Sequence, residues 1–271
     1  MSTDGDDSNP TGRSRHELRE SDLPTIVREV RRRTPARLMV GRSGTAYKTD
    51  TLVELRQAHA AARDAVRTEL DLQSDLGADV VAKWNLFELC TQASSKDEYL
   101  MRPDLGRRFD SQSRTALHRC PPHKDLLIAI GDGLSVTAVR AQVPELLEAL
   151  TDGAVARGWV VGQMFVVRHC RVGILNEIGD LLAPKVAILL IGERPGLATA
   201  ESLSAYIAYQ PKSGNTDADR NLISNIHARG VVPTAAAARI VRLAMRMRQL
   251  QLSGVAIKEE TNERLIGETQ A

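Results

Sequence analysis

The stretch Val186-Ala-Ile-Leu-Leu-Ile-Gly192 constrains this chain more than any other. Six apolar residues in a row, several β-branched, that stop on a glycine predict a strand buried on both faces, the environment of a parallel strand in an α/β sheet. Ligands of open α/β sheets gather beyond the carboxyl ends of the strands, so the loop Gly192-Glu193-Arg194-Pro195-Gly196 is predicted to face one. Gly192 lets a backbone approach closely, Pro195 and Gly196 favour a tight turn, and Glu193 and Arg194 supply an acceptor and a forked donor. The alternative is a plain turn whose charges are solvated.

Strands and helices alternate before this point. Asp125 to Ile130 is a short apolar strand that ends in Gly131-Asp-Gly-Leu-Ser135, and a helix then runs toward Leu150 with a break or restart expected near Pro144. A second strand spans roughly Trp159 to His169, and Arg171 to Leu182 reads as a loop followed by a helix. Strand, helix, strand, helix, strand is a parallel-sheet pattern with right-handed crossovers. The Gly131-x-Gly133 pair lacks the third glycine of a dinucleotide fingerprint and the Lys-Ser/Thr of a P-loop, so it identifies neither nucleotide. Its position is nonetheless where donors for a nucleotide-like tail are found.

Downstream, Ser202 to Tyr209 suits a strand or a short helix, and Thr216 to His227 is expected to be a polar loop entering a helix. Asp217 and Asp219 have metal-like spacing without a completed ligand set, so capping and solvation are their expected roles. Pro233 opens the last helix, whose stripe is Ile240, Leu243, Ala244, Met247 and Leu250, and Ser253-Gly254 stops it.

Upstream, Met1 to about Ser21 is expected to be a disordered tail, followed by the basic run Arg28, Arg31, Arg32, Arg33 and Arg37. A Gly41 to Gly44 turn leads to a helix capped at Asp50 or Thr51, with Glu54 at capping-box spacing from Thr51. Its stripe of Leu52, Leu55, Ala62, Val66 and Leu70 shares a face with His59, which is expected to pack at a core edge or against a partner. Leu76 to Cys90 is helical or mixed. In Arg102-Pro-Asp-Leu-Gly-Arg-Arg108, Arg102 is expected to be extended and Asp104 to cap the turn after it, with three guanidinium groups close together. The expected organisation is a tail over 1–37, a smaller mainly helical region over 38–120, a Rossmann-like α/β domain over 121–257 and a polar tail over 258–271. The domain is predicted to be a mostly parallel sheet flanked by helices.

Composition limits the function. Aromatic residues make up 3% of the chain, too few for stacking platforms that bind single-stranded nucleic acid. Thirty-six basic residues against 34 acidic ones leave +2, no global field for DNA. Cys90, Cys120 and Cys170 are isolated and read as free thiols of a reducing cytoplasm. The first twenty residues hold no apolar segment and no run reaches eighteen apolar residues, so neither export nor a membrane span is expected.

Several blocks, taken together and in order, carry a resemblance from about Leu38 to Gly254. They are Gly41-Arg-Ser-Gly-Thr45, Leu55-Arg-Gln-Ala-His59, Arg102 to Arg108, Asp132-Gly-Leu-Ser135, Gly192 to Gly196, Glu201-Ser-Leu-Ser204, Ala218-Asp-Arg-Asn221 and Ile223-Ser-Asn-Ile-His227. With them the chain resembles the small (light) subunit family of ethanolamine ammonia-lyase. The resemblance implies a hetero-oligomer with a catalytic large subunit that converts ethanolamine to acetaldehyde and ammonia, with adenosylcobalamin as cofactor and neither nucleic acid nor membrane as partner. It places cofactor contacts on Val172, Glu193 and Leu222 and no catalytic residue on this chain. In the family it resembles, many members carry cysteine at the place of Leu222, so Leu222 is a departure from the family's pattern. No histidine sits in the Asp-x-His-x-x-Gly pattern that replaces the lower axial base, so the cofactor is expected to stay base-on. Arg102, Arg107 and Arg108 are then expected to pair with large-subunit carboxylates. Some relatives enter bacterial microcompartments through an amphipathic N-terminal helix, for which Met1 to Arg19 is too polar, so free cytosol is expected. The competing classes are a stand-alone Rossmann-type nucleotide-binding enzyme and an adaptor using the Arg28 to Arg37 run.

Overall fold

The computed structural model describes residues 24–34, 37–196 and 198–259. The expected tail over Met1 to Ser21 and most of the 258–271 tail lie outside these residues. In chain order the elements are α1 (Thr25–Arg33), β1 (Arg42–Ser43), β2 (Ala46–Tyr47), α2 (Thr49–Arg67), α3 (Leu72–Leu76), α4 (Ala78–Lys83), β3 (Phe87–Cys90), α5 (Lys96–Met101), α6 (Ser111–Leu117), β4 (Leu126–Gly131), α7 (Val136–Val155), β5 (Phe165–Arg168), α8 (Ile174–Leu182), β6 (Val186–Gly192), β7 (Leu203–Tyr209), β8 (Asn221–Ile226) and α9 (Pro233–Leu250).

The chain divides into two units, residues 1–51 and 52–271. In the first, the Arg31 side chain donates to the carbonyls of Leu38 and Met39, and β1 pairs antiparallel with β2 around the predicted Gly44 turn. The second holds a six-stranded sheet in the order β3-β5-β4-β6-β7-β8. Strands β3 to β6 run parallel, whereas β7 and β8 extend the sheet antiparallel. This is the α/β sheet that the apolar run Val186 to Ile191 predicts, and every residue of β6 is buried. Phe87–Cys90, grouped by sequence with the N-terminal region, is one of the sheet's two edge strands.

Each face of the sheet carries one apolar cluster. Alternate residues such as Ile128, Ile130, Ile188 and Leu190 face α7 and α9, which pack on each other. The intervening Leu127, Ala129, Ala187 and Leu189 face α8 and α6. Pro144 lies within α7 without ending it. The helix predicted after Thr216 is instead a 3-10 turn over Asp217–Asp219 followed by strand β8. Its buried residues Ile223 and Ile226 stand three apart, a helical spacing, because β8 holds an extra residue between its pairings with Ala205 and Leu203. Asn225, at φ 59°, occupies this bulge.

Three local expectations change. Helix α2 begins at Thr49, so both Asp50 and Thr51 lie inside it rather than capping it. Asp104 makes no cap hydrogen bond and instead pairs with Arg102. The α2 stripe has the predicted spacing, yet no α2 residue is buried and His59 is exposed.

Candidate functional site

Helix α8 covers the parallel strands but leaves part of the β7-β8 face open. There Tyr206 is half-buried and the paired Leu222 is 48% exposed. Between this face, the start of α8 and the turn before α6 lies a hollow of about 900 Å3. Val172, in the loop from β5 to α8, and Leu222 both line it. Two of the three residues singled out from sequence thus meet across one concavity, although 50 residues separate them.

Reciprocal packing of arginines on glycines builds the hollow's wall. A Cβ on Gly106 would meet Arg171 Cγ at 2.7 Å, and one on Gly173 would meet Arg107 Cγ at 2.9 Å. Each bare glycine therefore seats the stem of the other segment's arginine. Arg171 N–H donates to the Gly106 carbonyl at 2.8 Å, locking the two segments together. Its guanidinium lies 4.1 Å from the centre of the Tyr99 ring and donates to the Tyr99 carbonyl.

Charge in the hollow is one-sided. Of the carboxylates lining it, Asp104 pairs with Arg102 at 2.7 Å, Glu177 with Arg114 and with the Phe109 N–H, and Asp217 with Arg220. Arg107 and Arg108 also line it, and their side chains make no hydrogen bond or ion pair among the described residues. Arg102, expected to act with them, is already engaged by Asp104.

Glu193 is the third residue singled out, and it does not line the hollow. It sits past the end of β6 on the same side of the sheet, since it binds Ser204, which shares a face of β7 with Tyr206. Its carboxylate accepts from Ser202 Oγ and Ser204 Oγ, each at 2.7 Å, and from the Asn225 N–H at 2.9 Å. Burial raises the Tyr206 hydroxyl above its ordinary range, and the charges of Asp217 and Glu193 push the same way.

The Gly131 to Ser135 turn, weighed as a seat for a nucleotide-like tail, is filled by the chain itself. A Cβ on Gly133 would lie 2.4 Å from the Gly192 carbonyl oxygen, and Leu134 N–H donates to that oxygen. Asp132 is wholly buried, accepts from the Cys170 N–H and pairs with buried Lys96 at 2.8 Å. Nearby, His169 presents Nδ1 to the Ala93 carbonyl and Nε2 to Glu69, both at 2.9 Å. Lys96 and Glu69 carry no sequence signal, because their partners lie 36 and 100 residues away.

The remaining candidates for chemistry find local roles. Asp219 forms a capping box with Thr216, which holds its carboxyl below the ordinary range. The three cysteines are free, and burial pushes the Cys170 thiol well up, so it is a packed thiol rather than a reactive one. Among the described residues no group of three or more His, Cys, Asp or Glu could hold a metal ion, and no helix is long and apolar enough to cross a membrane.

The fold and the site together define an α/β chain whose mostly parallel sheet carries a basic, partly apolar hollow on one face. Residues 25–258 match the family model described as the ethanolamine ammonia-lyase light chain, and this chain belongs to that family. It is 41% identical over 231 residues to the ethanolamine ammonia-lyase small subunit of Clostridium perfringens, covering 85% of this chain and 76% of that one. The small subunit of Clostridioides difficile is 40% identical with 85% and 77% covered, and that of Fusobacterium nucleatum 40% identical with 89% and 80% covered.

Proposed function

We propose that this chain is the small subunit of an adenosylcobalamin-dependent lyase that releases acetaldehyde and ammonia from ethanolamine in complex with a large subunit, and that it forms one wall of the cofactor site. The observation that carries the reading is that Val172, just past the carboxyl end of β5, and Leu222 line one hollow.

The residues present fit such a group. Val172, Tyr206 and Leu222 offer apolar surface to a flat macrocycle, and the rest of the lining is polar, with Asn176 held in place by the Asn215 carbonyl and Arg220. Glu193 supports this wall by fixing the ends of β6, β7 and β8. None of the described histidines lines the hollow. His169 and His227 have both ring nitrogens engaged within the chain, which favours a cofactor that keeps its own lower base.

When bound, adenosylcobalamin supplies radical chemistry through homolysis of its cobalt–carbon bond. The residues of this chain orient the ligand and exclude water, since a radical exposed to solvent is lost. The reacting groups belong to the large subunit. Cytosol is the proposed location, consistent with three free cysteines.

Reconstitution with a large subunit and adenosylcobalamin tests the reading. Ammonia release from ethanolamine is expected from the complex and not from either chain alone. Val172→Asp together with Leu222→Asp is expected to weaken corrinoid binding, followed by its visible absorbance, with assembly retained. Turnover by this chain unaided, or unchanged corrinoid affinity in the double variant, would overturn it.

A further inference from the structure

Arg107 and Arg108 stand out among the charged residues of the hollow. Asp104, Glu177 and Asp217 are each neutralised by an arginine of this chain. Arg220 is largely buried and spends its guanidinium on Asp217 and Asn176. Arg171 is held by the ring and carbonyl of Tyr99 and pairs with no carboxylate among the described residues. Among the described residues, three positive charges lining the hollow, those of Arg107, Arg108 and Arg171, are therefore left without counter-charge.

The position of Arg107 is built rather than incidental. Its stem lies along Gly173, where Cγ, Cδ and Cβ would all stand within 3.3 Å of an added Cβ. Gly173 follows directly on Val172, so the guanidinium is carried beside the apolar wall. Both arginines are exposed, and both line the concavity that Val172 and Leu222 share, which places their charge beside a ligand seated there.

We infer that Arg107 and Arg108 bind the phosphodiester of the corrinoid's nucleotide loop, the one anionic group on that ligand, and so fix which way the ligand's tail points within the hollow. This rests on the reading that the hollow takes adenosylcobalamin. Charge-assisted hydrogen bonds to a phosphodiester oxygen give about tenfold or more in affinity.

The test uses the reconstituted complex and two probes, hydroxocobalamin and cobinamide, the second of which lacks the phosphodiester and the base. Arg107→Gln and Arg108→Gln keep much of the side-chain stem while removing the charge. The double variant is expected to bind hydroxocobalamin at least tenfold more weakly than the wild type while its cobinamide affinity stays within twofold. An equal loss for both probes would overturn the inference, because it would place the arginines on the macrocycle. Unchanged affinities with weakened assembly would overturn it in favour of carboxylates on the large subunit. A wild-type complex that binds neither probe defeats the functional reading itself. Binding of both with no difference in the variant defeats only the inference.

Discussion

Glu193 Oε1 accepts the backbone N–H of Asn225 at 2.9 Å, and Asn225 lies in the bulge of β8, between the residues that pair with Ala205 and Leu203. A bulged residue loses its strand partner, and a carboxylate is a strong replacement acceptor for the orphaned donor. The same carboxylate holds Ser202 and Ser204. Glu193→Ala is therefore expected to destabilise the isolated chain by about 1–3 kcal/mol in urea unfolding. Unchanged stability would show that the carboxylate serves only a ligand.

Lys96 and Asp132 form the most buried ion pair among the described residues, with side chains 5% and 0% exposed. Removing one member of a buried pair strands the other charge, which costs about 3–5 kcal/mol. Lys96→Met is expected to lose that much in urea unfolding. Lys83, paired with Glu148 on the surface at the same 2.8 Å, is the control. Exposed pairs contribute about 0–1 kcal/mol, so Lys83→Met should change little. Equal effects at the two sites would contradict the assignment.

The contrast between these residues explains what was legible in the sequence. Strand β6 was plain, because burial on both faces leaves six apolar residues in a row. Strand β8 was hidden, because the bulge moved Ile226 from a strand spacing to a helical one relative to Ile223. Lys96 sits in the polar run Ser94-Ser-Lys-Asp-Glu98 and reads as solvated, since only the fold brings Asp132 to it. At the site, Val172 and Leu222 were marked by resemblance, and their meeting in one hollow required the sheet. The pairing of Arg107 with Gly173 was invisible, because a glycine beneath a distant arginine leaves no local pattern.

Asp125 joins the start of β4 to the end of α9. It accepts from the Val160 N–H, Lys185 and Arg248 at 2.8 to 2.9 Å, and the Arg248 guanidinium lies over Trp159. The Val160 hydrogen bond does most to lower its pKa; burial opposes this, and Lys185 and Arg248 add to the lowering. A carboxyl whose pKa is lowered in the native state takes up its proton at lower pH there than in the unfolded chain. Its contribution is thus complete well above the ordinary value of 3.8 and disappears as pH falls through the lowered native value. Asp125→Asn should cost about 1–3 kcal/mol at pH 7, with the gap from wild type narrowing below pH 3.8. A gap independent of pH down to full acid unfolding would assign the effect to shape rather than charge.

Helix α2 has the periodicity of an amphipathic helix and none of the burial. Leu55, Ala58, Ala62 and Val66 recur at three- and four-residue intervals and are half-buried, while Leu52, Val53 and His59 are exposed. Tertiary packing of an apolar face supplies most of the stability of protein helices, and α2 buries none of its 19 residues. Helix α7, of similar length, buries nine residues between the sheet and α9. Backbone amides of α2 are therefore expected to exchange with deuterium by local opening, at least about a hundredfold faster than those of α7 in the isolated chain. Mass spectrometry of peptides covering 49–67 and 136–155 measures the ratio. Comparable protection in the two helices would mean that the apolar stripe of α2 is already covered in the free chain.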